Sequence, residues 1–430
     1  MQNKESAKKL LEFINQSPTC FHTIDNVRKV LEEKGFLPLE ENTEFLLQPG
    51  GRYYVIRNGA SVIAFQVPEK KLKGFHIIAS HSDTPCFKLK ENPEITVENS
   101  YVVLNVEKYG GSILSTWLDR PLSVAGRVMV RQEEGLGSHL VHFEEDLCII
   151  PNLAIHLNRE INKGVEYNPQ TDMRPLFAFG KGADLKKKIA ETLGIQAEDI
   201  LGTDLFLFSR TPGCFLGQDE AFIGAPRLDD TQCVFSSLQG FLQAENNADG
   251  YMKLYCVFDH EEVGSRSRQG ADSDFLQVTL EKISRAADEQ SSLASLLADS
   301  FLLSADNGHG LHPNHPEKSD PTNRPVLNGG IVIKYHGNQQ YTTDAFTGAV
   351  VKKICNSHKI PWQTYHNRSD IPGGSTLGNI SISHCSIPSA DVGLAQLSMH
   401  SAFETAGAED TELFIRFAKA FYESGGHRLV

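Results

Sequence analysis

The sequence predicts an α/β protein, with a mixed, mainly parallel sheet flanked by helices and an inserted β-rich domain. Three observations carry that reading. Short apolar runs rich in β-branched and aromatic residues, such as Lys253-Leu254-Tyr255-Cys256-Val257-Phe258, alternate with helical patterns. Between about 92 and 222 the pattern changes to closely spaced short strands separated by turn residues. Residues able to bind metal or move protons stand where the apolar runs end, and ligands of open parallel sheets gather outside the carboxyl ends of strands. At 430 residues the chain exceeds the usual single-domain size. The expected division is a discontinuous catalytic unit, 1–91 and 223–430, interrupted by a unit at 92–222.

Residues 5–35 read as two helices. Ala7, Leu10, Leu11 and Ile14 recur at helical spacing and Ser17-Pro18 ends the first; Val27, Val30 and Leu31 line the second, which Gly35 closes. Residues 53–57 and 61–65 flank Asn58-Gly59, the signal of a tight hairpin. The apolar run 74–80 leads into His81-Ser82-Asp83-Thr84-Pro85. Inside the β-rich stretch, 185–193 reads as a surface helix whose lysines form a solvated face. A helix through Val234, Leu238, Phe241 and Leu242 follows, then the 253–258 strand and a polar helix around 278–298. Strands at 301–305, 331–335 and 391–395 come next, and Leu413, Phe414, Phe417 and Phe421 give the last helix, 409–422, an apolar stripe.

Composition narrows the class. Hydrophobic content of 40% and charged content of 22% suit a soluble globular protein, and a net charge of −13 argues against nucleic acid or an anionic membrane as partner. No apolar run approaches membrane-spanning length, and the start, Met1-Gln2-Asn3-Lys4-Glu5-Ser6, lacks the apolar core of a signal peptide. Eight scattered cysteines without a Cys-x-x-Cys pair suit buried reduced thiols, so the expected compartment is the cytoplasm.

The chemistry centres on Asp259-His260-Glu261-Glu262-Val263-Gly264. Neighbouring ionised carboxylates repel unless a cation sits between them or one takes up a proton. Adjacent residues on an extended chain also point to opposite sides, so Glu261 and Glu262 can do different jobs. His81 and Asp83, the Glu pair, and Asp306 each follow an apolar run, while Asp229 and His400 lie on loops able to reach the same edge. Taken singly, a strand-end His or Asp is more often a cap or turn former. As a set, two His, three separate carboxylates and a spare Glu suit a two-metal hydrolase, with mixed N/O ligands favouring zinc and allowing cobalt or manganese.

The same residues lie in stretches that resemble the aspartyl aminopeptidase family of dinuclear zinc metallopeptidases over nearly the whole chain. They are Ala79-Ser80-His81-Ser82-Asp83-Thr84-Pro85, Trp117-Leu118-Asp119-Arg120, Ala125-Gly126-Arg127 and Leu153-Ala154-Ile155-His156-Leu157-Asn158-Arg159. Ala225-Pro226-Arg227-Leu228-Asp229, the Glu-Glu stretch, Ala305-Asp306 followed by His312-Pro313-Asn314, Gly374-Ser375-Thr376-Leu377-Gly378 and Met399-His400-Ser401 complete the set. Together, in this order, they are highly specific.

The resemblance implies a fold of the dizinc exopeptidase type and a metalloaminopeptidase that releases single N-terminal residues, preferably Asp or Glu, from peptides with a free N-terminus. His81 and Asp306 would bind one ion, Glu262 and His400 the other, and Asp229 would bridge them. Glu261 would be the general base, and Asp83 would fix the tautomer and angle of His81. His156 would reach toward a neighbouring subunit's site, Lys334 would pair with an acidic substrate side chain, Tyr341 would stand near the scissile carbonyl, and Gly374 would line the cleft. The inserted domain would serve dimerisation and assembly, the homo-oligomer being a dodecamer built from dimers. The chain departs from many relatives at Asp230 (commonly Asn), Gln340 (commonly Arg) and Asn307-Gly308 (commonly Met-Ala). Two alternatives stand beside this expectation: an aminopeptidase of neutral or broad specificity, and a catalytically silent scaffold or binding relative.

Overall fold

The computed structural model describes residues 4–246, 249–287 and 292–424. The first three residues of the polar start, and 288–291 of the helix expected around 278–298, lie outside them. That helix is two elements, Phe275–Ala287 and Leu293–Ala298.

A nine-stranded sheet forms the centre, and its four middle strands, Tyr251–Phe258, Gly74–His81, Phe301–Ala305 and Ser389–Gly393, run parallel. Toward one edge, Ser61–Gln66 pairs antiparallel with Tyr251–Phe258 and forms the expected Asn-Gly hairpin with Arg52–Arg57. Toward the other, Ile331–Lys334 pairs antiparallel with Ser389–Gly393 and parallel with Trp362–Tyr365. The sheet is therefore mixed and mainly parallel, with helices on both faces.

Strand alternation sorts side chains into two cores. Ile78, Tyr255, Val257, Leu303 and Val392 pack with the helices Glu5–Asn15, Cys20–Glu33, Leu228–Gln243 and Asp410–Glu423. Phe75, Ile77, Leu254, Cys256 and Phe258 pack with Phe275–Ala287 and Leu293–Ala298 on the opposite side. Burial on both faces explains why these strands read as continuous apolar runs.

A six-stranded antiparallel sheet spans residues 86–209 and has its own core around Phe87, Leu104, Leu122, Val124, Val128 and Leu207. Its first strand, Cys86–Val97, starts ahead of position 92, and its last in the chain, Ile200–Ser209, ends ahead of 222. The intervening Cys214–Leu216 and Phe222–Ala225 belong to a third, five-stranded sheet with Glu404–Gly407, Ala395–Leu397 and Gly308–His309. That small sheet draws three distant loops, those of Asp229, Asp306 and His400, to one end of the central sheet.

All eight cysteines are free thiols, and only Cys214 is exposed. Among the described residues, no helix is long and apolar enough to cross a membrane.

Candidate metal centre

His81 closes the strand Gly74–His81 and lies in register with Phe258, after which the chain turns into the Glu pair. Asp306 follows Phe301–Ala305, the strand on the other side of His81. Because these strands are parallel, their ends deliver His81, Glu261, Glu262 and Asp306 to one edge. The Glu pair is not on extended chain, however. His260 takes a left-handed conformation, φ 64, and Glu261–Val263 forms a single 3-10 turn, so the loop, not strand alternation, separates the two carboxylates.

Asp229 and His400 arrive from the small sheet. Arg227, with φ 60, turns the chain, and its buried guanidinium donates to the carbonyls of Ile14 and Ser17 at 3.0 Å each. It thereby adds a side-chain donor to two carbonyls at the end of the first helix. Asp229 and Asp230 follow with non-helical dihedrals at the head of Leu228–Gln243.

The Asp229 carboxylate divides between two histidines. Oδ1 lies 3.4 Å from Nε2 of His81, and Oδ2 lies 3.3 Å from Nε2 of His400. His400 Nε2 is also 3.3 Å from Oε2 of Glu262, and His81 Nε2 is 3.9 Å from Oδ1 of Asp306. Ligand atoms of His81, Asp229, Asp230 and Asp306 fall within 4.8 Å of one another, as do those of His81, Glu261 and Glu262, and those of Asp229, Glu262 and His400.

These distances test whether the residues fit a metal. A separation of 3.3–3.4 Å is long for an N–H···O bond, which prefers about 2.7–3.2 Å. It matches the roughly 3.3 Å between two ligands that each stand about 2.0–2.1 Å from one tetrahedral zinc ion. Oδ1 of Asp229 and Oε1 of Glu262 are buried without a hydrogen-bond partner, which a coordinated cation would relieve. The donor set fits.

The electrostatics agree. Burial, reinforced by the carboxylates of Asp306, Asp83 and Asp229, pushes Glu261 up to about 8. Burial, then Asp229 and Glu261, raises Glu262 well above the usual carboxylate range. Burial would lower His81, but contact with the carboxylates of Asp229 and Asp83 raises it well above an ordinary imidazole. The pocket carries more buried negative charge than its own histidines offset, which is the condition a cation relieves.

Two carboxylates hold this arrangement from behind. The Asp83 carboxylate accepts the backbone N–H groups of Glu261 (3.0 Å) and Glu262 (3.1 Å) and the Tyr109 hydroxyl (2.6 Å), while Nδ1 of His81 lies 3.1 Å from the Asp83 backbone carbonyl and 3.4 Å from its Oδ1. Glu404, almost fully buried, accepts the N–H of His400 at 2.7 Å on one oxygen and that of Asp229 at 3.1 Å on the other. Sequence reasoning missed Glu404, Tyr109 and Asp230. Asp230 is fully buried and accepts the His81 N–H at 3.3 Å; its place beside Asp229 was the one signal available.

The remaining expected residues lie around the cluster or apart from it. Lys334 is buried, donates to the Asn307 carbonyl at 2.8 Å, and holds its ammonium 3.4 Å from Oδ2 of Asp306 and 5.5 Å from the Tyr341 ring. Tyr341 is itself buried. Gly374 lines a cavity of about 320 Å³ with His309, Tyr365 and Met399, the last adjacent to His400. His156 sits on an exposed turn of the six-stranded module between exposed Ile155 and Leu157 and is not part of the ligand cluster.

The family model described as Aminopeptidase I zinc metalloprotease (M18) matches residues 13–422. A relative from Clostridium novyi (strain NT), "Probable M18 family aminopeptidase 2", is 42% identical over 98% of this chain and 100% of its own length. One of the same description from Pseudomonas aeruginosa (strain UCBPP-PA14) is 38% identical over 96% of this chain and 97% of its own. Among solved structures, a chain of the Ape4 and Nbr1 complex superposes with a TM-score of 0.93 at 34% identity, covering 98% of this chain and 86% of that one. The S. cerevisiae mApe1 dodecamer gives 0.87 at 27% identity, covering 97% and 96%.

Proposed function

The chain belongs to the M18 family of aminopeptidase I zinc metalloproteases, and on that premise we propose that it removes single N-terminal Asp or Glu residues from peptides using two divalent ions. The observation that carries this reading is the Asp229 carboxylate, with one oxygen toward His81 and the other toward His400. In the proposed assignment His81 and Asp306 would hold one ion, Glu262 and His400 the other, and Asp229 would be shared between them. Zinc suits the mixed N/O donors, with cobalt or manganese as substitutes. Bound there, the ions would polarise the scissile carbonyl and make water more acidic.

This chain's own groups do the rest. Glu261 takes a proton from the attacking water and returns it to the leaving amine. Asp83 orients His81 through its backbone carbonyl, 3.1 Å from Nδ1, and its carboxylate fixes the Glu261–Glu262 backbone. Tyr341 and Gly374 flank the cleft. The proposed division of labour keeps catalysis in 1–91 and 223–430 and gives 92–222 to assembly. Similarity to a dodecameric mApe1, and the exposed Leu153, Ile155 and Leu157, support a homo-oligomer built from dimers in which His156 approaches a neighbour's site. The buried reduced thiols favour the cytoplasm.

One observation favours a second reading. Lys334, the expected partner of an acidic substrate side chain, already spends its charge on Asp306. Neutral or broad specificity is therefore the competing account. Steady-state rates on Asp-, Glu- and Leu-anilides separate the two: acidic preference requires the Asp and Glu substrates to lead, and comparable rates on Leu support breadth. Glu261→Gln should retain metal and lose about 10²–10⁴ of the rate; full activity in that variant overturns the assigned base.

A further inference from the structure

We propose that Asp391 is a positioning residue for the substrate cleft, tying both of its loop walls to the central sheet. The idea rests on the reading that peptides bind between Tyr341 and Gly374. Asp391 lies, fully buried, in the strand Ser389–Gly393. Its Oδ2 accepts the Thr342 backbone N–H at 2.6 Å and the Thr342 hydroxyl at 2.9 Å, and its Oδ1 accepts the Thr376 hydroxyl. Its own N–H donates to Oγ1 of Thr343 at 2.9 Å. Thr342 follows Tyr341 directly, and Thr376 stands just beyond Gly374. One carboxylate thus grips both walls, neither of which has regular structure of its own at these positions.

Two further details show that the grip is built in. Thr376 is the N-cap residue of Leu377–His384, yet its side chain makes no capping bond, because the hydroxyl is turned onto Asp391 instead. Gly378 sits so close to the sheet that a Cβ there would stand 2.8 Å from Cβ of Ser304 and 2.9 Å from Oδ1 of Asp391. Lys334 is the register partner of Asp391 on the neighbouring strand, and although its ion pair is with Asp306 its charge also attracts the Asp391 carboxylate. Asp391 hydrogen-bonds to threonines and to none of the ligand side chains. Loosening it should move the walls and spare the metal centre.

The experiment uses the metal-loaded, full-length protein as wild type, Asp391→Asn and Thr376→Val. Metal content, amide hydrogen exchange across 341–343 and 370–376, and kcat and KM on an Asp-anilide are measured for each. The expected result is unchanged metal content, faster exchange in these segments, and a KM raised about tenfold to a hundredfold with a smaller fall in kcat, the scale of one lost charge-assisted hydrogen bond. Thr376→Val removes one tether with little change in volume and keeps the test valid if Asp391→Asn fails to fold. Unchanged exchange together with unchanged KM overturns the proposal, as does a loss confined to kcat that tracks lost metal. Failure of the wild type to cleave peptides would instead sink the functional reading, and the exchange data would still report on the tether.

Discussion

The ammonium of Lys334 lies 3.4 Å from Oδ2 of Asp306, and both side chains are shut away from water. Removing one partner of a buried pair leaves the other charge uncompensated, at a cost of about 3–5 kcal/mol. Lys334→Met should lower the stability of the metal-free protein by that order, measured by urea denaturation. Loading metal onto Asp306 should recover part of the loss. An unchanged midpoint would mean that the pair does not hold this corner together.

Glu404 spends both carboxylate oxygens on the amides of His400 and Asp229. Glu404→Gln keeps the shape but turns one acceptor into a donor that faces an N–H. Metal affinity should fall about 10–100-fold, the usual effect of losing a group that orients ligands, as read by competition with a chromophoric chelator. Wild-type affinity in the variant would reduce Glu404 to a packing residue.

Chelation should lower the melting temperature. The clustered carboxylates of Asp229, Glu261, Glu262 and Asp306 repel one another, and an ion that binds only the folded state stabilises it by about 2.7 kcal/mol at a hundredfold excess over Kd. Identical melting curves before and after exhaustive chelation would remove the support for cations balancing this cluster.

His22 offers a pH test remote from the centre. Its ring is buried, 2.8 Å from Oγ1 of Thr19 and beside His142, and burial lowers its pKa from 6.5 to about 3. Between those values the unfolded chain binds the proton and the folded chain does not. The contribution of His22 to stability is therefore present above pH 6.5 and lost as the pH falls, at about 1.4 kcal/mol per unit. Denaturation midpoints at pH 6.5 and 5 should shift more for wild type than for His22→Gln, by on the order of 2 kcal/mol. Equal shifts would place His22 in a solvated setting.

Much of this could be read from the sequence. Parallel strands end on one edge, so His81, Glu262 and Asp306 were legible from apolar runs alone, and the Asn58-Gly59 hairpin from its turn chemistry. Glu404 was not, because it acts through backbone amides of residues far from it in the chain and leaves no periodic trace. Tyr109 was hidden for a related reason: it belongs to the six-stranded module yet donates to Asp83 of the central one. The Glu pair was placed correctly for the wrong local reason, since the left-handed His260 and a 3-10 turn replace extended chain there.

The proposed ligands run from residue 81 to residue 400, with the last of them delivered by the small sheet that also anchors Asp229. A fragment that stops short of residue 400 lacks one end of the proposed centre. Proteolytic loss of the segment carrying His400 would therefore remove one proposed ligand at a single cut.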